Sequence, residues 1–178
     1  MAQPAAPRRG GPGRPSRPPL RRQGKVPGVT VSVEVLQEVT DEVVEAFGVL
    51  LPQLSSSAPP ADRAVLDRVV GSAATTLLIA RCDGRIAGTL SLVMFPIPTG
   101  LRAWIEDVIV DEAARGRGIG QVLTAEALRI AEDAGARTVD LTSRPSREAA
   151  GRLYERAGFQ SRSTRLYRYT FADHNVAP

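Results

Sequence analysis

The run Arg115-Gly116-Arg117-Gly118-Ile119-Gly120 places three glycines and two arginines within six residues, a composition suited to holding an anion. Glycine lets a phosphate approach the backbone closely, and arginine adds charge-assisted donors. The segment before it, Trp104-Ile105-Glu106-Asp107-Val108-Ile109-Val110, has the aromatic and β-branched content of a strand. After it, Ile119, Val122, Leu123, Ala127, Ile130, Ala131 and Ala134 fall at helical spacing, and Gly135 is placed to end that helix. Between strand and helix, the N–H groups of about Gly116 to Gln121 face outward at the positive end of the helix dipole. The run reads as a pyrophosphate cradle. No Lys-Ser or Lys-Thr pair follows Gly120, and the glycines lack Gly-x-Gly-x-x-Gly spacing, so neither a P-loop nor a dinucleotide fold is expected.

Three other side chains have chemistry to offer. Glu106 and Asp107 are adjacent acids on the strand, and strand alternation predicts that they point to opposite faces. Tyr154 lies at the edge of an apolar helical stripe formed by Ala149, Ala150, Leu153 and Ala157, and its phenol is protonated at neutral pH. The chain has one cysteine, Cys82, and one histidine, His174, in a polar terminal stretch. Neither a disulfide framework, a multi-cysteine metal site nor a histidine-based nucleophile is expected.

These groups need a scaffold. At 178 residues the chain suits one domain with a sizeable core. Residues 1–28 stand apart, with seven of the 14 prolines, five glycines, seven basic residues and no acid. Such a segment offers too little apolar surface to offset its ordering entropy, so it reads as a disordered basic tail. Taking its seven positive charges from the net +4 leaves −3 for residues 29–178, so the high pI belongs to the tail. The mildly acidic remainder is unlike a nucleic-acid-binding domain, and the tail holds no apolar run suited to secretion or membrane anchoring.

The remaining elements follow from periodicity and turn chemistry. Val29 to Leu36 is expected as a first strand and Asp41 to Leu50 as a helix capped by Thr40 and stopped by Pro52. A second helix over Asp62 to Val70 precedes a hairpin of Leu77 to Cys82 and Ile86 to Phe95, turned by Asp83-Gly84. Thr138 to Ser143 is the next strand, and Ser146 is expected to cap a helix reaching Ala157, with Gly158 beyond its end. Thr164 to Phe171 should close the sheet, leaving 172–178 as a tail. The predicted class is α/β (α+β): a mixed, mostly antiparallel sheet with one parallel pair, flanked by helices.

The Arg-Gly-Arg-Gly-Ile-Gly loop resembles the Arg/Gln-x-x-Gly-x-Gly/Ala signature of the GNAT acetyltransferases, and Leu153-Tyr154-Glu155-Arg156-Ala157-Gly158-Phe159 resembles that family's Tyr-x-x-x-Gly-Phe helix. The Glu106-Asp107 strand is similar to that of polyamine and glucosamine-6-phosphate acetyltransferases. The fold resemblance covers roughly residues 29–171 and the specific motifs about 104–159. It implies a GNAT fold with a splayed parallel pair and acetyl-CoA as co-substrate, without a metal. It also implies that the backbone of Val108, Ile109 and Val110 meets the thioester and that Arg115, Gly116, Arg117, Gly118, Ile119, Gly120 and Gln121 hold the pyrophosphate. Glu106 is implied as the base, acting through water, with Asp107 or a longer water relay left open, and Tyr154 as the acid for the departing thiolate. Where the family often has an asparagine, this chain has Arg147, which could reach a coenzyme A phosphate or be solvated. The expected activity is a cytoplasmic N-acetyltransferase, monomer or homodimer, acting on a small-molecule or protein amine, with no specific nucleic-acid or membrane partner. The alternative is a non-catalytic acyl-CoA-binding module tethered by its basic tail.

Overall fold

The alternation of β-branched residues in the first half of the chain builds antiparallel strands, and the computed structural model describes residues 22–26, 29–55 and 59–171. Six strands, β1 (Arg22–Val26), β2 (Val29–Val35), β3 (Thr75–Cys82), β4 (Arg85–Ile97), β5 (Gly100–Val110) and β6 (Thr138–Leu141), lie in sequence order in one sheet. Every neighbouring pair is antiparallel except β5 with β6, which is parallel. The parallel pair needs a crossover, and helix α3 (Ile119–Asp133) supplies it. Helices α1 (Asp41–Leu54) and α2 (Arg63–Val70) cover the other face, while α4 (Glu148–Arg156) packs beside α3.

The central strand β3 is buried on both faces, so its apolar residues serve two cores. Leu78 and Ala80 join Leu90, Leu92, Ala103 and Ile105 beneath Ile119, Leu123, Ala127 and Ala131 of α3. Leu77 and Ile79 instead join Val43, Phe47 and Leu66 of α1 and α2. Asp83 and Gly84 turn β3 into β4 with φ of 50° and 86°, the left-handed pair that a two-residue hairpin loop requires.

Four sequence expectations are corrected. Pro52 does not stop α1, which runs on to Leu54. The bond that proline forfeits is to the carbonyl of Gly48, which is solvent-exposed. Ser146 does not cap α4; Arg147 holds that position, because its N–H closes a turn on the Arg144 carbonyl at 2.9 Å and encloses Ser146. Within the expected tail, Arg22–Val26 pairs with Val29–Val33 as an edge strand, whereas residues 1–21 and 172–178 lie outside the described residues. Finally, Thr164 to Phe171 forms no strand: Leu166, Tyr167, Tyr169 and Phe171 are all exposed.

Candidate active site

The site begins where the parallel pair comes apart. Pairing of β5 with β6 spans Arg102–Ile105 and Thr138–Leu141, and β5 then continues to Val110 paired only with β4. The splay is therefore present, and its exposed edge starts at Glu106. Within this stretch β5 also bulges against β4. Ser91 faces Glu106 and Thr89 faces Ile109, so Asp107 and Val108 together oppose Leu90. Asp107 takes the extra turn with φ of 48°, a left-handed conformation that aspartate tolerates better than most residues. The bulge interrupts the simple alternation that was expected to set Glu106 and Asp107 on opposite faces.

Backbone direction separates the three valine and isoleucine positions. The Asp111 N–H donates to the Ala87 carbonyl at 2.9 Å, so by ladder alternation Ile109 also aims its backbone at β4. The Val110 backbone then faces the side that β6 has vacated. Val110 is thus the open main-chain donor, and Ile109 is committed to the ladder.

After a single 3-10 turn, Glu112–Ala114, the chain enters the glycine loop. Gly116 and Gly118 have φ of 79° and 75°, and a Cβ at Gly116 would meet nothing within 4 Å. Alternating left-handed residues turn successive N–H groups into one concavity, an anion-binding nest. Gly118 is the N-cap of α3 and has no side chain to cap it, so the N–H groups of Ile119, Gly120 and Gln121 remain for a ligand. Gln121 is exposed, whereas the Ile119 side chain is core. The two arginines are engaged elsewhere: Arg115 pairs with Glu112 at 3.1 Å, and Arg117 reaches Asp83 at 3.4 Å and the Cys82 thiol at 3.7 Å. Both pairs are largely exposed and worth little, so either arginine can exchange its partner for a phosphate.

Gly120 ties the loop to α4. A Cβ there would lie 2.7 Å from Leu153 Cδ1 and 3.7 Å from Val110 Cγ2. Its missing side chain is the point where the end of β5, the first turn of α3 and helix α4 converge. Leu153 seated in that gap fixes the neighbouring Tyr154 at the same junction. Tyr154 is half-buried and meets Phe159 edge-to-face, with centroids 5.9 Å apart. Burial pushes its phenol pKa up, and the nearby Arg147 charge opposes that shift. The group therefore stays protonated well past neutrality.

Glu106 is exposed and accepts a 2.8 Å hydrogen bond from Trp104 Nε1, a partner that sequence reading missed. The signal was present, since residues two apart on a strand share a face. Asp107 reaches solvent, yet enough protein surrounds it that desolvation raises its carboxyl pKa. Arg147 donates to the Leu54 carbonyl at 2.9 Å and so clasps the start of α4 to the end of α1, rather than lying over the glycine loop. Gln53, on the same last turn of α1, accepts from the Glu112 N–H at 2.9 Å. These two contacts hold α1 against the site, and no pattern in the sequence announced them.

A family model described as the acetyltransferase (GNAT) family matches residues 36–159, a span that contains the splay, the loop and helices α1 to α4. The chain belongs to the GNAT acetyltransferase family. N-alpha-acetyltransferase 30 of Schizosaccharomyces pombe is 39% identical over 71 residues, 40% of this chain and 47% of that protein. N-alpha-acetyltransferase MAK3 of Arabidopsis thaliana is 34% identical over 86 residues, 48% of this chain and 45% of that protein. The chain thus spans about half the length of the curated relatives it matches. Among solved structures, a putative acetyltransferase from Agrobacterium tumefaciens is similar in fold, with a TM-score of 0.69 at 24% identity over 78% of this chain and 99% of that one. GNAT acetyltransferases use acetyl-CoA, and the nest at Gly116–Gln121 fits its pyrophosphate in both backbone direction and free space. Among the described residues no helix is long and apolar enough to cross a membrane.

Proposed function

We propose that this protein is an N-acetyltransferase that moves the acetyl group of acetyl-CoA to a primary amine by direct attack. The observation that carries the reading is the convergence at Gly120, where an anion nest, the open end of β5 and the helix bearing Tyr154 meet. Bound acetyl-CoA would supply the activated acyl group. The nest N–H groups of Gly116 to Gln121 bind its pyrophosphate, with Arg115 and Arg117 available to assist. The Val110 N–H, with Val108 next along the same open edge, is available to an oxygen that gains negative charge. Glu106, exposed at the mouth of the splay, takes the proton from the acceptor ammonium directly or through water. Tyr154, kept protonated by burial, returns a proton to the departing thiolate.

A catalyst needs both proton-handling groups, whereas a module that only binds acyl-CoA needs neither, and this favours the enzyme. The two curated relatives are named as N-alpha-acetyltransferases, so the free α-amine of a peptide is the first acceptor to examine, with small-molecule amines beside it. The deciding experiment incubates the protein with acetyl-CoA and a panel of peptides and small amines and follows free thiol. Amine-dependent thiol release is expected. Binding of acetyl-CoA without release on any amine would identify the tethered binding module instead.

A further inference from the structure

The face of the sheet opposite α3 keeps a partly exposed surface over β4 and β5. Directly opposed residues share a face, so Ser91 with Glu106, Val93 with Trp104 and Phe95 with Arg102 all lie on it. The parallel register adds Asp140, opposite Trp104. Further across, the same face is the one that buries Leu77 and Ile79 beneath α1 and α2. Helix α1 reaches β4 and β5 as well, but its cover there is incomplete. Val93 and Trp104 are half-buried, Phe95 is 38% exposed and Glu106 is exposed.

The charges on this surface are not balanced. Asp140 is matched by Arg102 at 2.6 Å. Among the described residues no cation pairs with Glu106; its Oε1 is held by the Trp104 indole and its other oxygen is left available. An anionic oxygen at the edge of an apolar, aromatic floor complements an ammonium whose neighbouring group is apolar. It does not complement an acidic acceptor or one dense in hydroxyls, which would leave Val93, Phe95 and Trp104 against polar groups.

We infer that Val93, Phe95 and Trp104 form the acceptor floor, that it selects a primary amine carried beside an apolar group, and that Trp104 is a positioning residue for Glu106. The inference rests on the acetyltransferase reading above, but it makes a demand of its own. The indole N–H fixes one carboxylate oxygen and so directs the other toward the amine, while the ring and Phe95 bury the adjoining apolar group. Two residues thereby act on different kinetic quantities. Trp104 governs the geometry of proton removal, and Phe95 governs occupancy.

Trp104 is the only tryptophan in the chain, so its fluorescence reports the floor without any turnover. Titration with phenethylamine is expected to change that emission saturably, while ethanolamine at the same concentrations leaves it unchanged. Phe95→Ala should weaken the phenethylamine response roughly tenfold and raise KM for that amine to the same extent. Trp104→Phe keeps a ring but removes the N–H, so kcat should fall about tenfold with KM held within about twofold. Equal responses to both amines, or Phe95→Ala without effect, would overturn the floor. A fall in kcat no larger for Trp104→Phe than for Phe95→Ala would overturn the positioning role. Thiol release with no selective fluorescence response sinks this inference and leaves the acetyltransferase reading standing; a selective response without thiol release on any amine sinks the acetyltransferase reading and the positioning role with it, leaving only an amine-binding floor.

Discussion

At the scale of single residues, the two adjacent carboxylates are separated by their surroundings rather than by strand alternation. Glu106 is exposed and held by an indole, while Asp107 sits in a bulge with its carboxyl pKa raised by desolvation. A raised pKa means that the neutral acid is favoured in the folded state. That contribution is complete below the unfolded-state pKa and is lost as pH rises through the folded value. Ionised Asp107 therefore costs stability at neutral pH. Asp107→Asn removes a partly desolvated charge that still reaches solvent and keeps a residue that accepts positive φ, so it should raise Tm slightly near neutrality. The gain should vanish once the pH falls below the ordinary carboxylate range, and thermal melts at several pH values test this. Glu106→Gln should instead lower kcat/KM by about 10²-fold with little change in Tm. A larger kinetic loss for Asp107→Asn would transfer the base role to Asp107. Tyr154→Phe should reduce kcat on the order of 10²-fold while leaving acetyl-CoA affinity within about twofold, since the phenol acts when sulfur gains charge. Single-turnover kinetics beside a binding titration separate those two effects.

At the scale of elements, the glycine loop acts through backbone shape. Gly118 is left-handed at φ 75° and opens α3 without a side-chain cap, so its first-turn N–H groups are free for an anion. A ligand at a hundred times its dissociation constant stabilises the fold by about 2.7 kcal/mol. Gly118→Asp places a Cβ in the left-handed region and a negative charge beside the nest. Acetyl-CoA should then no longer raise Tm, and an unchanged thermal shift would remove the loop from the binding site. Gly88 matters at the same scale but for packing. A Cβ there would lie 2.8 Å from Ile119 Cγ2 and 2.9 Å from the Ile109 carbonyl, so its absence lets the start of α3 rest on the sheet. The loop is consequently placed by contacts thirty residues away in sequence as well as by its own glycines.

At the scale of the molecule, the sheet puts its N-terminal edge far from its chemistry. β1 closes one side and the β5–β6 splay lies at the other. Removing residues 1–28 takes β1 with it and uncovers β2, which contributes Val31 and Val33 to the core. Loss of a short edge strand worth about 1–2 kcal/mol should lower Tm by roughly 2–8 °C for a domain of this size. Turnover at a temperature where the truncated protein remains folded should match that of the full chain. A loss of kcat there would mean that the N-terminal segment reaches the site.

Periodicity and local chemistry were sufficient for the order of elements from β2 to α4 and for the strand–glycine–helix passage between β5 and α3. Asp83-Gly84 can turn a hairpin, Thr40 caps α1 by accepting from the Val43 N–H, and a strand–glycine–helix passage exposes N–H groups wherever it occurs. Such features depend on neighbours along the chain, which a sequence displays. The bulge at Asp107, the Trp104–Glu106 bond, the Arg147 clasp on Leu54 and the seat of Leu153 against Gly120 depend on which residues are brought opposite one another. The same is true of Thr164 to Phe171, whose composition suits a strand but which forms no ladder and stays exposed. Local propensity proposes an element; only the packed sheet, through register, crossover and the space between helices, determines whether it finds a partner and which side chains share a site.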